Sequence, residues 1–158
     1  MKWMYLLVLL ASLYYYRVVN SFVITILIIS VTELVMFIIR SPFLEFVRGF
    51  EHDYAVAIWA LGWMTCDLLV ILIIRITHIR FKLNTSNAAY FVSSSKVALM
   101  SLQLIRYVDD QLLKTDFIPS MYQYGVPAIN LGVGFVLSFL LMREWFENDN
   151  FRRRYFNG

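Results

Sequence analysis

Between Ser21 and Ile39 the chain runs nineteen residues with Glu33 as its single ionisable side chain. As a helix rising about 1.5 Å per residue, that run crosses about 30 Å of hydrocarbon. Similar runs cover residues 55–74, interrupted only by Asp67, and 121–142, with no charge at all; a weaker one, 88–105, holds Lys96. In lipid every backbone N–H and C=O must be satisfied internally, so only helices and closed barrels can span. A barrel needs segments of about ten residues alternating apolar and polar. Blocks such as Ile26-Leu27-Ile28-Ile29 and Leu68 to Ile74 do not alternate. The expected fold is therefore all-α, a polytopic transmembrane helical bundle. Charged residues make up 16% of the chain where a soluble domain carries about 25%, which excludes a soluble single domain. Three prolines, six glycines and no polar low-complexity run leave no linker, so residues 1–158 read as a single integral membrane domain.

A fifth, shorter run covers residues 3–16 behind Lys2. It has the charged start and apolar core of a secretory signal, but Ala11-Ser12 makes no A-x-A cleavage site, so it is expected as a retained first helix. At about 21 Å it is short for a full crossing. Tyr14-Tyr15-Tyr16-Arg17 follows it as an interfacial belt with a basic anchor. Pro42 is expected to end the second span, and Phe43 to Tyr54, alternating apolar and charged residues, to lie as a separate helix in the interface. Residues 143–158, with Trp145, Phe146, Phe151, Tyr155 and Phe156 among charges, are expected as an amphipathic inner-surface helix, the alternative being a docking tail for a soluble partner.

Lys and Arg concentrate on the cytoplasmic side of short connectors. Arg75, Arg80 and Lys82 lie in the segment from Arg75 to Asn87, and Arg143, Arg152, Arg153 and Arg154 in the tail. The opposite connectors hold Arg40, Arg48, Arg106 and Lys114 against Glu45, Glu51, Asp53, Asp109, Asp110 and Asp116. The C-terminus is therefore expected inside, with the seven bases facing an anionic inner leaflet. This placement accounts for the +3 net charge without nucleic acid.

The ionisable residues within spans are costly, roughly 2.5–3.5 kcal/mol each for Asp or Lys at a helix centre, and each needs a partner. Counted from the inner ends of their spans, Asp67 and Lys96 lie at about 10 and 12 Å. They are expected to pair across the antiparallel hairpin. Glu33, at about 18 Å, is level with Asn130 and near Gln103, which predicts a second polar layer. Ala89, Ser93, Lys96 and Gln103 share one narrow face of the fourth span and are expected to point inward. Glu33 can be read as a hydrogen-bonded structural acid or as a proton-exchanging carboxyl. A voltage sensor needs closely repeated Arg, and Lys96 and Arg106 stand ten residues apart.

Ser94 with Ala98, and Gly134 with Ser138, form small-xxx-small surfaces that let helices approach closely. The single cysteine, Cys66, excludes an intrachain disulfide or thiolate cluster. His52 and His78 fall in connectors on opposite sides and are expected as interfacial or solvated, not as joint ligands. Ser93-Ser94-Ser95-Lys96 reads as packing surface, since acyl transfer also needs an oxyanion hole and cleft. No phosphate-binding glycine loop, HExxH or GxSxG occurs. No catalytic residue, metal or cofactor is expected. The functional expectation is a non-enzymatic subunit of a membrane assembly, in contact with other subunits or copies of itself; the alternative is an oligomeric ion or proton channel, such as a hole-forming protein.

Overall fold

The computed structural model describes residues 2–16, 20–113, 115 and 117–156, of which Lys2, Tyr15, Tyr16, Phe117, Glu144 and 147–156 are described in backbone alone. The fold is all-helical, with no strand among the described residues. Its helices are α1 (Lys2–Tyr16), α2 (Ser21–Val47), α3 (His52–Arg80), α4 (Asn87–Val108) and α5 (Phe117–Phe156), with one π-helical turn, Asp109–Leu113, after α4. Four segments are long and apolar enough to cross a membrane: Ser21–Val47, His52–Arg80, Asn87–Leu113 and Ile118–Arg143. Trp3–Tyr14 is a shorter apolar helix. The chain is an integral, multi-pass membrane protein.

Two expected boundaries are corrected. Pro42 does not end the second span: α2 runs through it to Val47, and α3 begins at His52, so no separate interfacial helix forms over 43–54. Proline removes one backbone donor, and spanning helices tolerate that loss when neighbours hold the segment. Here Phe43 does so, its ring stacked on Trp59 at 5.6 Å and edge-on to Trp63 at 5.8 Å. The ring lies over Gly62, where a Cβ would collide with it. The tail is likewise no separate surface helix. Residues 143–156 continue α5, and Arg152, Arg153 and Arg154 lie where only backbone is described. Arg75 and Arg80 also belong to a helix, the last turns of α3, which leaves 81–86 as the loop between α3 and α4.

The core explains why a chain so apolar still needs lipid. Tyr5, Ile26, Ile29, Val70, Val92 and Leu137 are fully buried, yet Leu34, Phe37, Ile38, Leu69, Phe135 and Phe139 face outward. An outward face of that kind is stable only against hydrocarbon. Several hydroxyls within the spans bond their own helix: Thr32 donates to the Ile28 carbonyl, Ser95 to Phe91 and Ser138 to Gly134. This back-bonding leaves them without an unmet donor in lipid.

The short α1 is held by the bundle itself. Tyr5 Oη donates to the Asn130 carbonyl of α5 at 2.7 Å, and Ser30 of α2 donates to the Tyr5 carbonyl at 3.3 Å. Gly134 is buried under Met4, whose terminal methyl occupies the space a side chain would fill.

Candidate functional site: an intramembrane charge triad

Three helices each contribute one ionisable residue to a single cluster. Lys96 Nζ of α4 lies 3.0 Å from Asp67 Oδ1 of α3 and 3.1 Å from Glu33 Oε1 of α2. The Lys96 and Asp67 side chains are buried, at 4% and 7% exposure, whereas Glu33 retains 22%. One ammonium between two carboxylates gives both acids a partner, while the cluster keeps one more negative charge than positive, and Glu33 is its more exposed member.

Glu33 therefore does not belong to a second polar layer, which corrects the depth argument. Backbone heights alone misplace Glu33, because side chains lean toward the N-terminus of their own helix. In α2 this lean carries Glu33 toward the Ser21 end, and in antiparallel α3 it carries Asp67 toward the His52 end, so the two carboxylates approach one another. The flexible Lys96 stem covers the remainder. Gln103 instead accepts from Tyr122 Oη at 3.1 Å, a contact that ties α4 to α5. Of Asn130, the backbone carbonyl is engaged, by Tyr5. Among the described residues no hydrogen bond or ion pair joins either residue to Glu33. On the inward face of α4, Ala89, Lys96 and Gln103 are buried and Ser93 is half-buried.

The small-residue surfaces separate. Gly134 faces α1 within the chain. Ser94 and Ala98 are exposed, and with Phe91, Ile129, Gly132 and Val136 they line an outward groove between α4 and α5, a cavity of about 320 Å³. At Gly132 a Cβ would meet nothing within 4 Å.

Two polar centres were not legible in the sequence. His78, expected as interfacial or solvated, is buried in the last turn of α3. Its Nδ1 sits 2.7 Å from the Ile74 carbonyl, to which it donates, and its Nε2 shares a hydrogen bond of 2.6 Å with Ser21 Oγ. Ser21 Oγ in turn accepts from the Ser86 backbone N–H at 2.9 Å, joining the start of α2, the end of α3 and the start of α4. Asp109, expected as a connector acid, is also buried, and its carboxylate accepts from the Thr115 hydroxyl at 2.6 Å and the Thr115 N–H at 3.1 Å. The hint for both was only their position one turn beyond an apolar run, where a helix can continue past its hydropathic end. His52 is exposed and lies 3.4 Å from Asp110.

Compared with known proteins, the chain matches no family model, and no curated sequence or solved structure resembles it closely enough to lend it an activity.

Proposed function

We propose that the chain is a non-enzymatic subunit of a larger membrane assembly, acting through helix contacts. The observation that carries this reading is the outward groove of Ser94, Ala98 and Gly132, shaped for the close approach of another helix. The triad supports it, since it gathers Glu33, Asp67 and Lys96 on the inside of the bundle and leaves the outer faces to apolar contact. The occupant of the groove is a helix of another subunit or of a second copy. Particles extracted from native membranes in mild detergent should migrate well above the monomer. Ala98→Leu with Gly132→Leu, which fills the groove, should shift them to monomer size without reducing the yield of folded chain. A wild-type chain that already migrates as a monomer would sink the reading.

An oligomeric proton or cation conduit is the second reading, favoured by the excess of acid in the triad and the partial exposure of Glu33. Purified protein in liposomes that carried a flux abolished by Glu33→Gln would establish it in place of the first.

The same reading places the loop 81–86 and the C-terminal end of α5 on the cytoplasmic side, from Arg75, Arg80, Lys82 and Arg143. In a Cys66→Ala background, Asn84→Cys should resist a membrane-impermeant thiol reagent in intact cells while Glu51→Cys reacts. The reverse pattern overturns the orientation.

A further inference from the structure

At the inner end of the α3–α4 hairpin lies a cavity of about 450 Å³, open to the side and independent of the triad. Its apolar wall is built by Ile71, Ile74, Ile79 and Tyr90, and its rim by Arg75 and Lys82, with Asn84, Thr85 and Ser93 adding polar groups. Ile79 and Tyr90 are more than half exposed, so the wall continues onto the lipid-facing surface. Among the described residues no carboxylate pairs with Arg75 or Lys82. The N-terminal turn of α4, the positive end of its dipole, borders the same space through Ala89 and Tyr90.

The backbone adds an independent observation at Lys82. The Leu83 N–H bonds the His78 carbonyl at 3.0 Å and the Lys82 N–H bonds the Ile79 carbonyl at 3.2 Å, closing α3 in a Schellman motif. Lys82 holds the left-handed position of that motif, with φ 51, the one positive φ among the described non-glycine residues. Glycine is the residue suited to this conformation, and a lysine there is strained. Strain of this kind is retained where the side chain has a use.

We propose that this cavity binds the phosphate headgroup of an anionic phospholipid, held by Arg75 and Lys82 with the acyl chains laid along Ile79 and Tyr90. Arg75 starts about 10 Å deeper along the helix than Lys82, and to reach the headgroup level its long stem must turn toward the C-terminal end of α3, against the usual lean of a helical side chain. The site asks for a phosphate joined to apolar chains, because cationic rim and apolar wall belong to one cavity. Basic pockets between helices near the membrane surface commonly serve lipid headgroups in this way. The inference does not depend on the subunit reading or on the orientation, only on the chain being in a bilayer.

The test is the preference of the reconstituted full chain for spin-labelled phosphatidylglycerol over spin-labelled phosphatidylcholine, read by electron paramagnetic resonance as the motionally restricted fraction. Wild type should prefer phosphatidylglycerol severalfold. Lys82→Gly, which relieves the backbone while removing the charge, should lower that preference roughly fivefold, the effect of one cation near a membrane surface. Arg75→Gln should act similarly, whereas Arg80→Gln, outside the cavity, should change little. The proposal is overturned if Lys82→Gly and Arg75→Gln leave the preference intact, or if Arg80→Gln lowers it equally, since the attraction is then diffuse. It is also overturned if millimolar inorganic phosphate abolishes the preference, which would assign the cavity to a soluble anion.

Discussion

Lys96→Met should lower the stability of the bundle by about 3–5 kcal/mol, the cost of leaving buried charge without its partner. Two carboxylates, Glu33 and Asp67, would then face one another around an apolar side chain, each deprived of its contact at 3.1 and 3.0 Å. The acids are not equivalent to the lysine in this respect. Asp67→Asn leaves Lys96 on Glu33, and Glu33→Gln leaves it on Asp67, so either amide should cost much less. Combining Glu33→Gln, Asp67→Asn and Lys96→Met removes every charge and should recover most of the loss, because a buried ionic cluster contributes little net stability over neutral groups of similar size. Thermal unfolding midpoints in one detergent, with the yield of monodisperse protein, measure the series. Were Lys96→Met tolerated as well as Asp67→Asn, the three-helix cluster would not exist as described.

The two glycines of α5 two residues apart should respond in opposite directions. Gly134→Leu must displace Met4 and push α1 from its seat, a cost of about 1–3 kcal/mol by overpacking. Gly132→Ala enters open space and should stabilise α5 by up to about 1 kcal/mol through helix propensity alone. Met4→Ala should restore much of the loss in the Gly134→Leu background, since it vacates the volume the leucine needs. The same unfolding measurement decides the matter. Equal effects at Gly132 and Gly134, or no recovery with Met4→Ala, would show that α1 does not pack on α5 at this point.

The contrast also bears on function. Gly134 closes an interface inside the chain, whereas Gly132 lines the groove assigned to a neighbouring helix. A substitution that leaves the monomer stable but dissolves its complexes marks the outer face, and one that does the reverse marks the inner. Identical residue types two positions apart thus separate folding from association.

The runs 21–39, 55–74, 88–105 and 121–142 needed no tertiary information, because hydrocarbon imposes a length and a near absence of charge that few other environments demand. The pairing partners available to Lys96 were narrowed in the same way, since so few ionisable residues interrupt the runs. Helix ends were less legible. Pro42 continued as helix because Phe43 packs on Trp59 and Trp63, a contact between residues on two different helices. Equally, His78 and Asp109 became buried because helices extend beyond the hydropathic edge and meet Ser21 and Thr115 there.

What the sequence alone determined is the class of solvent, the number of long helices and the residues for which lipid is costly. Those properties follow from local composition, which a sliding count along the chain can read. Only the tertiary structure decided that Glu33 joins Asp67 on one lysine, that Gln103 turns to Tyr122, and that Gly134 faces inward while Gly132 faces out. Each depends on the rotation of a helix about its axis and on the direction in which its side chains lean. Only α4 carries a polar stripe that records its rotation, Ala89, Ser93, Lys96 and Gln103; in the other spans, apolar on nearly every side, packing against neighbouring helices sets it.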